Sequence, residues 1–446
     1  MDNIKSAVAK YRDLILSAER FIWANPETGY KEYKTTEYLA EKFRELGYEL
    51  VMADKITGFY TVIDTGRQGP EVLILGELDS IICPGHKDAD SVTGAVHSCG
   101  HNAQCAALLG VAAALTDEAV LSELCGRIRL CAVPAEELLE IEYRQGLRER
   151  GVIKYLGGKS EFLHRGYFDG VDLAFMVHAT PAKAFTVRRG SVGCLAKKVI
   201  YKGKAAHAGG APWNGRNALY AANCGLNAIN AIRETFSEQD CIRVHPIITH
   251  GGDMVNAIPA CVELESYVRG KTYEAIVNAN KKVNRALIGA AVSLGVNIEI
   301  IDMPGYSPLR NDDNMMLLSR DAANMLMPDR EFNLESTVST GSTDMGDLSC
   351  IMPVVHPYAP GASGTSHGSD YSISDPETAC VLSAQWQLVM LKLLLSNNAE
   401  RAKKILSDFV PQFASAREFL DYQDSLNDSG DRIDYSDDGG ISSVRI

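Results

Sequence analysis

A series of short apolar runs separated by helix-length segments constrains this chain more than any other feature. The runs are Tyr60 to Asp64, V-L-I-L at 72–75, Ile128 to Val133 and Leu173 to His178. The first two read as strands covered on both faces, because a strand with one wet face would alternate. An Ala-rich helix is predicted from about Asn102 to Leu115. Helices over Ile4 to Phe21 and Lys34 to Leu46, the second stopping at Gly47, come before the strands. Strands alternating with helices predict an α/β fold whose mixed, mostly parallel sheet is flanked by helices.

The texture changes near residue 190. Leu195 to Tyr201 reads as an edge or antiparallel strand, followed by a helix at 217–235 and strands near 243–249 and 260–270. A helix at 274–294, ending near Gly295, and a strand at 297–302 complete the segment. This β-α-β-β-α-β order predicts a ferredoxin-like α+β domain inserted into the first one. A chain of 446 residues also exceeds one domain of about 150 residues. The expected division is 1–192 and 306–422 for the large domain, with 193–305 inserted. Helices at 377–395 and 399–422 would close the large domain. The Asp-, Ser- and Gly-rich tail at 423–446 reads as loosely ordered.

The formal net charge of -13 offers little to neutralise phosphates, so a nucleic-acid partner is not expected. The longest apolar run, near Ala106 to Leu115, is broken by Gly110 and too short to span a bilayer, so no membrane partner is expected either. The first residues show no uninterrupted apolar stretch of the signal-peptide kind. Eleven scattered cysteines suit reduced thiols in a cytoplasmic protein better than a disulfide framework.

Sites in open α/β sheets form at the carboxyl ends of strands. Metal-capable residues gather there: Glu77 and Asp79; the loop His97-Ser98-Cys99-Gly100-His101-Asn102; Pro134-Ala135-Glu136-Glu137; and His178. A further candidate, His367, sits in G-A-S-G-T-S-H-G-S-D. Cys, His and Glu together make a mixed soft and borderline ligand set that suits zinc or a related divalent ion. Five ligands exceed the need of one tetrahedral catalytic zinc; two metals sharing a ligand would use them all and activate a water. Glu136 and Glu137 would point to opposite sides of an extended segment, leaving one to bind metal and one to move a proton.

These motifs, with A-A-H-A at 205–208, N-A-I-P at 256–259 and G-S-T-D-M-G-D at 341–347, resemble the amidohydrolase branch of the aminoacylase and glutamate-carboxypeptidase metallopeptidases, clan MH. Auxin-conjugate, hippurate and p-aminobenzoyl-glutamate hydrolases belong to that group. The resemblance implies a zinc-exopeptidase-like catalytic domain with a lid and dimerisation domain inserted. It implies that Cys99, His101, Glu137, His178 and His367 ligate two divalent metal ions, zinc first, or manganese, nickel or cobalt, with Cys99 as the bridge. Glu136 would be general base and then acid, and Asp79 would orient a ligand. His207 would reach a partner subunit's site, so a homodimer through the lid is implied. Asn256, Arg269, Ser342 and Thr343 would face the substrate, a small molecule with an amide and a carboxylate. The chain departs from the pattern at Asn102, where many relatives have Asp, and in the longer loop at 80–96, whose His86 and Asp88 have no role in that pattern.

The expected reaction is hydrolysis of the amide bond of an N-acyl amino acid, an aryl-glutamate or a dipeptide. The rival reading is a catalytically inactive small-molecule-binding protein on the same fold; substitution of a ligand or of the base would favour it, and none is substituted. A redox role for Cys99 and Cys105 lacks the C-x-x-C spacing.

Overall fold

The structure, a computed structural model, describes residues 1–436 and 440–446. Its main sheet contains β1 (Phe59–Asp64), β2 (Glu71–Glu77), β3 (Arg127–Val133) and β4 (Leu173–Phe175). The order is Val51–Met52, β1, β3, β2, β4, Val354–Val355. β2 runs parallel to both β3 and β4, and Val354–Val355 extends the parallel set. β2 is buried at every position, which is why its sequence does not alternate. The one charge inside β3, Arg129, is neutralised by the buried Glu71, whose Oε1 lies 2.6 Å from the Arg129 Nε. β1 is antiparallel to β3 and only half covered, so its apolar run belongs to an outer strand with one partly wet face.

Helix α1 (Arg12–Trp23) packs on α2 (His101–Leu115), and α2 is buried along its whole length against the sheet. A Cβ at Gly110 would sit 2.7 Å from the Ile15 Cδ1, so the glycine permits the close approach of these helices. Helix α3 (Gly158–His164) covers part of the opposite face.

The run Leu173 to His178 is two elements. The chain leaves the main sheet after Phe175, and His178–Thr180 pairs with Tyr358–Pro360 in a second, smaller sheet. His178 therefore opens a strand instead of closing one.

The inserted unit is built on β5 (Gly193–Lys202), central between β6 (Cys261–Gly270) and β7 (Asn297–Pro304), both antiparallel to it. Helices α4 (Ala218–Ile232) and α5 (Tyr273–Ser293) pack together on this sheet, in the β-α-β-β-α-β order. Tyr201 from β5 is buried against them, and its hydroxyl donates to the Leu287 carbonyl.

The helix expected over 399–422 is broken. Glu400–Asp408 and α6 (Ala416–Ser425) are separate helices, with Pro411 in the connection. The tail expected to be loosely ordered is instead built into the structure among its described residues. β8 (Asp428–Asp431) pairs antiparallel with Glu299–Asp302 of β7 and covers an edge of the inserted sheet. Ile433 is buried in that unit's core, and the Arg432 guanidinium donates to the Ile300 carbonyl. Among the tail's described residues, Asp424 accepts from Lys154 and Tyr155, and Asp428 from Arg432 and Arg445, so these charges are partnered.

One described helix, Glu377–Leu395, is long and apolar enough to cross a membrane, and it is mostly buried. It packs against α2 and carries the fully buried Trp386.

Candidate active site

The carboxyl ends of β2 and β3, the loop before α2 and the start of His178–Thr180 converge. Gly100 turns that loop into α2 with φ +94°, a conformation glycine adopts without strain. Cys99 and His101 thus flank the turn and face one point. The P-A-E-E segment is held from behind. Ala135 takes φ +57°, its N–H donates to the buried Glu32, and the buried Arg144 guanidinium donates to the Glu137 carbonyl. The Tyr306 hydroxyl donates to the Glu136 carbonyl. The two glutamates diverge as their adjacency predicts. Glu136 Oε2 lies 3.9 Å from the His101 Nε2, and Glu137 Oε1 lies 3.0 Å from the His367 Nε2.

Three groups of three donors result, one of them Glu77, His101 and Glu136, and the other two share one atom. Cys99, His101 and His178 bring their ligand atoms within 4.8 Å of one another, as do Cys99, Glu137 and His367. The Cys99 Sγ is 3.5 Å from the His178 Nε2. His101 Nε2 is buried without a well-formed hydrogen bond, with the Glu77 carboxylate 3.3 Å away. Its other nitrogen, Nδ1, is 2.9 Å from the Asp79 carbonyl oxygen, which fixes Nε2 toward the shared centre. Asp79 also accepts the Glu137 N–H at 2.7 Å, so one buried carboxylate orients two of the five donors. A thiolate, three imidazoles and a carboxylate around two adjoining points fit a pair of borderline divalent ions.

The electrostatics favour an ionised Cys99 and Glu137, and these anions, with Glu77, in turn raise His101, His178 and His367 against burial. Burial and Glu137 push the Cys99 thiol up, but His101 and His178 outweigh them and hold it at about 6. Burial likewise opposes ionisation of Glu137, yet His367 and His101 bring its carboxyl to about 2. Glu136 moves the other way: burial, then Glu77 and Glu137, raise its carboxyl well above the usual range.

The cavity beside these donors has a volume of about 390 Å³ and is lined by Glu136, Glu137, His178, Arg269, Ser342 and Thr343, among others. The Arg269 Nε and the Ser342 Oγ are buried without partners there. Of the residues singled out in the sequence, His207 and Asn256 do not join it. His207 is exposed on the inserted unit and pairs by backbone with Ala257, next to Asn256. His356, whose ring nitrogens are unpartnered and which burial brings to about 3, lines the cavity beside His178. A larger cleft of about 670 Å³ between residues 145–165 and the tail holds mixed charges and, among the described residues, no donor cluster.

Sequence reasoning marked Glu77 as metal-capable but missed the cation beneath the site, Lys159. Glu77 is fully buried, 3.3 Å from the His101 Nε2, and its Oε1 accepts from Lys159 at 2.6 Å. Lys159, also fully buried, contacts Asp344 as well. Burial would raise the Glu77 carboxyl, but Lys159 with His101 holds it at about 2. The one available signal was a lysine in the otherwise uncharged L-G-G-K-S. The departure at Asn102 has a local cause: its Nδ2 donates to the buried Glu19 at 2.8 Å, where an Asp would set two carboxylates together.

Comparison with known proteins agrees with this architecture. Peptidase family M20/M25/M40 matches residues 73–389. The chain is 28% identical to the Xaa-Arg dipeptidase of Mus musculus over 79% of this chain and 78% of that protein. It is 28% identical to the indole-3-acetyl-aspartic acid hydrolase of Enterobacter agglomerans, over 61% and 70%. A dinuclear metal-binding M20 peptidase of Bacillus subtilis superposes with a TM-score of 0.64 at 20% identity, covering 87% of this chain and 99% of that one. The chain belongs to peptidase family M20/M25/M40 and is a metal-binding hydrolase of amide or peptide bonds.

Proposed function

We propose that this hydrolase cleaves an amide next to an amino-acid carboxylate, in an N-acyl amino acid, an aryl-glutamate or a dipeptide, with two divalent ions bound. The observation that carries the reading is the Cys99 Sγ, common to two donor triads whose other members are His101 and His178, and Glu137 and His367. Zinc suits these donors best, with manganese, nickel and cobalt as the other candidates. Bound there, the ions supply Lewis-acid polarisation of the scissile carbonyl and a lowered pKa for water.

The chain's own groups do the rest. Glu136 faces the centre, 3.9 Å from the His101 Nε2, and burial strengthens its carboxylate as a base, so in its ionised form it takes a proton from the attacking water and, as the acid, returns it to the leaving nitrogen. Arg269, with an unpartnered buried Nε in the cavity, clamps the substrate carboxylate, and Ser342 and Thr343 line the same pocket. His207 and Asn256 lie outside their own chain's cavity, on the inserted unit. We therefore assign them to the cavity of a second copy in a dimer formed through residues 193–305, where His207 would polarise the carbonyl. Eleven free thiols suit a cytoplasmic setting.

The test is a hydrolysis screen by mass spectrometry, with Zn or Mn added and Glu136→Ala as the blank. Its members are N-acyl amino acids, aryl-glutamates and dipeptides. Release of a free amino acid by the wild type alone supports the reading. No turnover of any member by metal-loaded protein overturns the substrate class.

A further inference from the structure

Residues 80–96 form a loop that the site as described does not use. Ile81–Ile82 pairs with Ala95–Val96, and the loop between them buries His86. The imidazole stands edge-on to Trp23, with 5.8 Å between ring centroids. Its Nδ1 is 3.0 Å from the Asp88 backbone nitrogen, and its Nε2 is 2.8 Å from the Tyr371 carbonyl oxygen. An amide N–H only donates, so Nδ1 accepts and Nε2 carries the proton toward Tyr371. Both neighbours therefore demand the same tautomer.

Tyr371 belongs to the loop that presents His367. Its ring is buried, and its hydroxyl donates to the Cys99 carbonyl at 3.2 Å. That ring occupies the space a side chain at position 100 would need, since a Cβ there would meet the hydroxyl at 2.5 Å. The same loop is tied to the Cys99 loop a second time, by the His367 N–H donating to the Ser98 carbonyl at 2.8 Å. His367 holds φ +63°, a left-handed conformation that strains a non-glycine residue. A half-exposed ligand in a strained backbone needs support from outside its own turn.

We infer that His86 is a positioning residue for the metal centre. Through the Tyr371 carbonyl it holds the 361–373 loop where His367 meets Glu137 and Cys99. The inference rests on the two-ion reading above. It also predicts an asymmetry, because only the Cys99, Glu137 and His367 triad hangs on this loop. His101 and His178 are placed by other elements, and Cys99, whose carbonyl accepts from the Tyr371 hydroxyl, is anchored mainly by the loop before α2.

The experiment is a cobalt(II) titration of metal-free protein, followed by thiolate absorption and by metal analysis after gel filtration. His86→Asn keeps an acceptor for the Asp88 amide but is too short to reach Tyr371. His86→Gln restores a donor at that distance. The wild type takes up two ions. His86→Asn keeps one at wild-type affinity and binds the second about 10-fold or more weakly, the usual loss when the group behind a ligand is removed. His86→Gln recovers most of the second site. A purely structural residue would lower the melting temperature without separating the two sites. Unchanged uptake of both ions in His86→Asn, or parallel weakening of both, overturns the brace. Fewer than two ions in the wild type overturns the two-ion reading, and the brace with it.

Discussion

Replacing Lys159 by methionine should damage the protein in a way that depends on pH. The ammonium is fully buried, 2.6 Å from the Glu77 Oε1 and in contact with Asp344, and both carboxylates are buried too. Methionine fills most of the volume but leaves two acids without their cation. Removing one partner of a buried ion pair costs about 3–5 kcal/mol, because the remaining charge is desolvated and uncompensated. The variant can relieve this by protonating Glu77, which Lys159 and His101 hold at about 2 in the wild type. Its native state then keeps a proton that an unfolded glutamate releases above about pH 4. Stability falls with rising pH wherever the native state binds more protons, so the deficit relative to wild type grows from pH 5 to pH 7. The expected deficit is about 3–5 kcal/mol at pH 7, shrinking by about 1 kcal/mol for each unit toward pH 5. Urea unfolding of metal-free protein, read from tryptophan fluorescence, measures it. A deficit below about 1 kcal/mol at pH 7, or one equal at both pH values, refutes the reasoning.

Other perturbations test separate parts of the account. Burial raises the Glu19 carboxyl to about 7, so the wild type should lose stability as pH rises from about 4.5 to 7. Glu19→Gln, which still accepts from Asn102, should remove about 2 kcal/mol of that dependence, and unfolding curves at both pH values decide it. Arg269→Ala should raise KM for carboxylate-bearing substrates and lower kcat/KM by about 10- to 100-fold, the worth of a hydrogen bond to a charge; an unchanged KM removes Arg269 from substrate binding. Deleting residues 427–446 strips Ile433 from the inserted core and uncovers the edge of β7, so amide exchange across Asn297–Pro304 should accelerate. Exchange as slow as in the full chain would mean that the tail lies elsewhere.

The sequence is most readable where burial is uniform. β2 is covered on both faces and carries no polar residue between Val72 and Leu75, so its apolar run marks both the strand and the strand end where Glu77 and Asp79 stand. The five proposed donors draw notice only as a set, because each follows a buried strand or sits in a Gly-rich loop, and their assignment as ligands comes from the family resemblance. What resists reading depends on contacts far apart in sequence. Lys159 and Glu77 are 82 positions apart, and His86 and Tyr371 are 285 apart. No local pattern encodes either pair. The tail misleads because Asp, Ser and Gly read as disorder, whereas Arg432, Ile433 and the edge of β7 supply the partners that order it. His207 and Asn256 show the complementary limit: their motifs are clear, but the cavity they would serve is not formed by the neighbouring residues of their own unit.

Metal stoichiometry by native mass spectrometry tests the shared thiolate most directly. The comparison sets the wild type beside Cys99→Ala, His178→Ala and His367→Ala, each folded by circular dichroism. Because the Cys99 Sγ belongs to both triads and each histidine to one, the wild type should carry two ions, each histidine variant one, and Cys99→Ala none at the same free metal concentration. A Cys99→Ala protein that retains one ion at wild-type affinity would contradict the bridge.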